Sequence, residues 1–260
     1  MSVFDLTDKT VFITGAGRGI GRGIASVLAG AGANVAINAL TSTHAESTAQ
    51  DIEDSTGKKI VTALGDVTTA EGVSEVVGQV MSALGHIDIL INNLGDAVGG
   101  PLAGLPDKQI DPISDADLKK TIDLNMTATL LCTREVGPQM LARRSGKVIN
   151  ISSYTAGRAG GNVVLYSAAK AAVTGFTRAQ ALEWAPYGVN VNSIAPGLYP
   201  EPAAMTAERA EKLAGWAKKA IPLGRTGALE EVGYLALYLA SSASDYMTGQ
   251  TLYLDGGLSL

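Results

Sequence analysis

Tyr166 precedes Lys170 by four residues in the run VVLYSAAKAAVTGF. On a helix, residues at this spacing share a face, so phenol and amine would be neighbours. An unperturbed phenol titrates near pH ~10 and is a poor base at neutral pH, but a nearby ammonium favours the phenolate. Such a group could take a proton from an alcohol or return one to a nascent alkoxide. Read alone, the pair is better explained as an ordinary helix-surface combination. Ser152 and Ser153 end the apolar run GKVINISS (146–153), and Ser153 stands thirteen residues before Tyr166. A hydroxyl at a strand C-terminus can donate to a reacting carbonyl oxygen. Either serine alone would more often be a strand-end hydrogen-bonding residue, and the spacing to Tyr166 favours Ser153. Asn125 lies in TIDLNMTATLL, a helical stretch where a buried asparagine usually answers a local hydrogen-bonding need.

The elements that must hold these residues alternate along the chain. Strand candidates are TVFIT (10–14), NVAINA (34–39), KIVTALG (59–65), IDILINN (87–93), GKVINISS (146–153), VNVNSIAPG (189–197) and TLYLDGG (251–257). Several are almost continuously apolar, as expected of strands covered on both faces. Between them IGRGIASVLAGAG, AEGVSEVVGQVMSALG and LEEVGYLALYLASS carry apolar residues at helical spacing. The alternation predicts one α/β domain over residues 1–260, a Rossmann-type doubly wound parallel sheet of about seven strands with helices on both faces. Two irregular insertions, 95–114 and 197–224, follow strand C-termini, the edge at which open α/β sheets bind ligands.

TVFITGAGRGIGRG runs from the first strand through Gly15, Gly17, Gly19 and Gly21 into a helix. Such glycines allow close approach of a pyrophosphate to the free N–H groups of a helix N-terminus. The bland alternative is a tight strand–helix turn; the position at the first such junction favours phosphate. The spacing TGAGRGIG resembles the short-chain dehydrogenase/reductase family. GDV (65–67), NNLG (92–95), IAPG (194–197) and TGQTLYLDGG (248–257) extend the resemblance over nearly the whole chain. Leu94 departs from the alanine usual in that family.

The resemblance implies an NAD(P)(H)-dependent oxidoreductase that interconverts a ketone or 3-oxo group and a secondary alcohol by hydride transfer. It implies Asn125, Ser153, Tyr166 and Lys170 as a catalytic tetrad, with Asn125 kinking its helix and holding a water of a proton relay. It places the cofactor against Thr14, Gly15, Gly17, Arg18, Gly19, Ile20, Gly21, Ala39, Leu40, Asp66, Val67, Asn93, Gly95, Tyr166, Lys170, Pro196 and Gly197, with Asp66 at the adenine. Ala39 and Leu40 stand where an acidic residue would select NAD(H), and Arg18 resembles the basic residue that meets a 2′-phosphate. NADP(H) is therefore preferred and NAD(H) remains an alternative. Segment 197–224 is expected to form a substrate lid, with Leu198, Tyr199, Met205 and Trp216 as a partly apolar wall; for Trp216, simple anchoring of the lid is an equal reading. Glu201 stands where a threonine often touches the cofactor amide.

The nearest resemblance within the family is to 3-oxoacyl-carrier-protein reductases. Arg143 and Arg144 fit one position of their docking surface, while Tyr187 occupies another that is often basic. A reading of another class is a catalytically silent nucleotide-binding or redox-sensing protein. The family also implies a homotetramer, pairing helices around 115–142 and 162–185 across one interface and the YLDGG strands across another.

Composition bounds the remaining possibilities. The chain is 46% hydrophobic and 17% charged, with a net charge of −5. An acidic protein gains nothing from nucleic acid or an anionic membrane, so neither is an expected partner. One cysteine, Cys132, gives no internal disulfide framework. No signal segment or run of apolar residues long enough to span a bilayer is visible, so the expectation is a cytoplasmic protein. His44 and His86 read as solvated, and no metal site is expected.

Overall fold

The computed structural model describes residues 2–105, 107, 110–201 and 205–260. Positions 106, 108–109 and 202–204, within the two insertions, lie outside the described residues. Seven strands form one sheet: β1 (Thr10–Ile13), β2 (Asn34–Ala39), β3 (Val61–Leu64), β4 (Ile89–Asn92), β5 (Gly146–Ile151), β6 (Val189–Pro196) and β7 (Thr251–Leu254). Their order is β3-β2-β1-β4-β5-β6-β7, and every pairing is parallel. The chain therefore reverses its direction of travel between β1 and β4, and the crevice at their C-terminal ends is where such sheets take ligands.

Continuous apolar strands become strands buried on both faces. Val11 and Ile13 of β1 enter one core and Phe12 the other, the alternation of a pleated strand. The first core gathers α1 (Gly19–Gly30), α2 (Ser42–Thr56) and α8 (Leu229–Ala240). The second gathers α3 (Ala70–Leu84), α5 (Ala128–Arg143) and α6 (Val164–Trp184). Each fully buried Ile or Leu contributes about 1.5–3 kcal/mol. Cys132 is one such apolar filler, fully enclosed, with its thiol pushed up to about 12 by burial.

Three helix starts are capped by a local side chain. Thr69 accepts from the Gly72 N–H before α3, and Thr206 accepts from the Arg209 N–H before α7 (Ala207–Ala220). Ser114 does the same for the Asp117 N–H before α4 (Asp115–Ile122). α1, like α2 and α6, has neither: Arg18 at its cap position gives no side-chain bond, and its first turn carries no acid. Its placement is rigid nonetheless. A Cβ at Gly23 would come within 2.6 Å of Leu229, and one at Gly233 within 2.8 Å of the Gly23 carbonyl, so α1 and α8 meet backbone to backbone.

Candidate active site

The glycine loop is locked to the end of β4. Thr14 Oγ1 accepts from the backbone N–H groups of Asn93 and Leu94, at 3.0 and 3.1 Å. Asn93 Nδ2 answers by donating to the carbonyls of Thr14 and Gly15. Gly15 and Gly19 have φ of +61° and +59°, a left-handed backbone that favours glycine. Leu94 packs on the loop: a Cβ at Gly15 would lie 2.9 Å from its Cδ1. The N-terminus of α1, which has no cap from its own sequence, thus faces the crevice, with the Gly19 N–H bonded to Glu201 Oε2 at 2.6 Å.

Asn125 sits in a π-helical segment, Asp123–Thr127, inserted between α4 and α5. The cause is its own side chain. Asn125 Nδ2 donates to the Thr121 carbonyl at 2.9 Å, the acceptor that an α-helix would give to the Asn125 N–H. The ladder widens, and the Ala128 N–H reaches back to Asp123. The same amide donates to the Asp96 carbonyl at 2.7 Å, tying helix to loop. Asn125 Oδ1 is buried with no hydrogen-bond partner among the described residues.

Lys170 is 2% exposed, and its Nζ donates to the Ile151 carbonyl at 2.9 Å. No carboxylate pairs with it among the described residues, and burial alone brings the amine down to about 8. Gly95 makes room for it: a Cβ there would lie 2.6 Å from Asn125 Oδ1 and 2.7 Å from Lys170 Nζ. The amine lies 5.8 Å from the centre of the Tyr166 ring.

The two serines separate cleanly. Ser152 Oγ donates to the Lys170 carbonyl at 2.9 Å, a structural bond that fastens α6 to the end of β5. Ser153 Oγ accepts from Thr155 N–H and Thr155 Oγ1, at 3.2 and 3.0 Å. With both lone pairs engaged, its proton remains free to donate. Tyr166 is held above the usual phenol value by burial; the Ser153 hydroxyl pulls it down, and the charges at Tyr154 and Asp96 push it up. The four-residue spacing does place the amine beside the phenol, but desolvation is the largest influence on the phenol.

Under the site runs a buried polar chain. Asn92 Nδ2 donates to Thr133 Oγ1 and Asn150 Oδ1, and Asn150 Nδ2 donates to Thr177 Oγ1. These bonds tie β4 and β5 to α5 and α6. Sequence reasoning passed over them; the signal was an amide residue in each of two otherwise apolar strands, which burial permits only if it is hydrogen-bonded.

A cleft of about 570 Å³ opens along this edge. Its walls bring together Gly15, Gly17, Arg18, Gly19, Ile20, Ala39, Leu40, Asn93, Gly95, Ser153, Tyr166, Lys170, Pro196 and Gly197. Thr14, Gly21 and Asn125 are buried behind it. Asp66 is exposed, and its Oδ1 accepts from the Thr68 N–H and hydroxyl; it does not line the cleft, and Val67 is core. Asp96, Leu124, Thr41 and His44 line it as well. Leu198, Tyr199 and Met205 line an adjoining lobe of about 540 Å³ with Glu201 and Arg209. Trp216 lines neither and is 43% exposed; Ala217 anchors α7 instead, packed with Ile221, Leu258 and Tyr154. Arg143 and Arg144 are placed away from the site. They donate to the carbonyls of Ile87 and Pro186, at the starts of β4 and β6, the opposite edge of the sheet. No cluster able to hold a metal occurs among the described residues, and none of their helices is long and apolar enough to cross a membrane.

A parallel sheet with a glycine loop at its switch point and a buried Tyr/Ser/Lys group beside it defines a Rossmann-type oxidoreductase. A family profile described as enoyl-(acyl carrier protein) reductase matches residues 15–259. The 3-oxoacyl-(acyl-carrier-protein) reductase of Chlamydia muridarum is 37% identical, covering 98% of each chain. The 2-dehydro-3-deoxy-D-gluconate 5-dehydrogenase of Bacillus subtilis is 34% identical, covering 98% of this chain and 96% of its own. Among solved structures, a gluconate 5-dehydrogenase from Burkholderia cenocepacia in complex with NADP and tartrate superposes with a TM-score of 0.87 at 33% identity, covering 98% and 97% of the two chains. The chain belongs to the short-chain dehydrogenase/reductase family and is an oxidoreductase of CH–OH and C=O groups.

Proposed function

We propose an NADP(H)-dependent carbonyl reductase or secondary-alcohol dehydrogenase in which Tyr166 moves the proton. The observation that supports it most is the convergence of the Tyr166 phenol, the Ser153 hydroxyl and the Lys170 amine in one cleft beside the glycine loop. The residues fit a dinucleotide. Bare glycine backbone and a helix start without a local cap suit its phosphates, and the crowding of Gly95 by Asn125 and Lys170 keeps a narrow floor that any larger side chain would fill. When bound, the nicotinamide supplies or accepts the hydride.

The chain's own groups do the rest. Ser153 donates to the substrate oxygen and orients it, and Tyr166 gives or takes the proton at that oxygen. Lys170 holds the nicotinamide ribose and steadies the phenolate, with Asn125 Oδ1 as the acceptor of a proton relay. Thr14, Gly21, Asn93, Pro196 and Gly197 shape the walls for the cofactor, and Asp66 and Val67 stand beside its adenine end.

The preference for NADP(H) rests on the end of β2. Ala39, Leu40 and Thr41 offer no carboxylate there, and the exposed Arg18 lines the same wall. The lobe of Leu198, Tyr199 and Met205 suits a hydrophobic ketone. A 3-oxoacyl thioester is the second reading, favoured by the name of the Chlamydia relative, although Arg143 and Arg144 lend it no docking surface. A silent nucleotide binder is disfavoured by the complete tetrad. For the assembly we propose a homotetramer through α5, α6 and β7, whose exposed Leu182 and Tyr253 need cover.

Three outcomes are expected. Oxidation of NADPH across a panel of ketones and 3-oxoacyl thioesters falls at least about 100-fold in Tyr166→Phe; full turnover in the variant would refute the proton assignment. Arg18→Ala weakens NADPH about ten-fold while leaving NADH unchanged, and equal losses for both would remove the 2′-phosphate role. Sedimentation at micromolar concentration gives a tetramer, and a monomer would contradict the assembly.

A further inference from the structure

Glu201 reaches across from the lid to the glycine loop. Its Oε2 accepts from the Gly19 N–H at 2.6 Å, and its Oε1 accepts from Arg22 Nη2 at 3.2 Å. Gly19 is the first residue of α1, whose own sequence supplies neither cap nor first-turn acid. The carboxylate therefore acts as a cap delivered from 182 residues away. It is drawn there by the free amide and the positive end of the helix. Its side chain is 18% exposed, partly withdrawn from water.

We infer that Glu201 is a tethered competitor for the dinucleotide's diphosphate, so that cofactor binding must displace its carboxylate from the Gly19 N–H. The inference rests on the dinucleotide reading of the cleft. One amide donor cannot serve both anions, and two like charges brought together there repel each other. The chain leading to Glu201 is anchored close by. Its root is fixed by Tyr199, whose hydroxyl donates to the Leu254 carbonyl at 2.8 Å, and by the Gly227 N–H on the Leu198 carbonyl. Glu201 lies two residues beyond this anchor. Arg22 retains a second carboxylate, Asp51 at 3.3 Å, when Glu201 leaves. A closed-to-open ratio of about ten would lower apparent cofactor affinity by about the same factor.

Calorimetric titration of NADPH into wild type, Glu201→Gln, Glu201→Thr and Glu208→Gln tests this without turnover. Glu208 is an exposed lid carboxylate paired with Lys212 and controls for overall charge. Both Glu201 variants are expected to bind about ten-fold tighter, with Glu208→Gln unchanged. Without nucleotide, hydrogen exchange of the Gly19 amide is expected to quicken in the Glu201 variants. Equal or weaker binding in them, or unchanged exchange at Gly19, would overturn the latch while leaving the dinucleotide reading intact. Failure of every variant to bind NADPH or NADH would overturn the dinucleotide reading and the competition with it.

Discussion

A lysine amine buried without a carboxylate partner governs the site. Lys170 is held by one carbonyl, that of Ile151, and burial is the sole influence that moves its titration down to about 8. The charged form costs stability in the fold. Because the unfolded chain keeps the proton up to pH ~10.5, unfolding takes up a proton between these values. Stability therefore rises as pH climbs from about 8 toward about 10.5, and the cost is fully present below that window. The surroundings over-determine the amine's position. Ser152 clamps its backbone, the Asn92–Asn150–Thr177 chain pins the strands and helix around it, and Gly95 leaves the space it needs.

The cleft thereby has two electrostatic ends. At one, a cation sits near a phenol that burial keeps protonated. At the other, a helix start capped only by Glu201 from the lid lies with Arg18 and Arg22 nearby. Both ends are unfavourable when left alone and favourable to a ligand carrying negative charge along its length. The local sequence of α1 omits what other helices of the same chain possess, and Glu201 restores it from a distance. Stability given up at a site and recovered by a ligand is a common arrangement in catalytic proteins.

Much of the fold was legible because its strands are continuous apolar runs and its helices periodic, each signal arising from burial on both sheet faces. All seven strand segments appear as strands in the sheet. The site was legible where chemistry is local in sequence: the glycine loop, and Tyr166 with Lys170 one turn apart. What failed to show lay in balances set by tertiary contact. The direction of the Tyr166 shift depends on how deeply the ring is enclosed, which spacing cannot state. The π-segment at Asn125 follows from a side chain taking a backbone acceptor. Trp216 shows the converse: a large aromatic in a lid reads as a wall, yet small Ala217 makes the contact. Arg143 and Arg144, which by resemblance fit one position of a docking surface, are bonded to the carbonyls of Ile87 and Pro186 at the far edge of the sheet.

The most direct test is a titration of Lys170 Cε by NMR in the ¹³C-lysine-labelled protein, assigned by Lys170→Arg. The account predicts a midpoint near 8, well below that of the surface lysines. A midpoint at the ordinary value of about 10.5 would show that the amine is solvated, contradicting the buried cation on which the cleft is built.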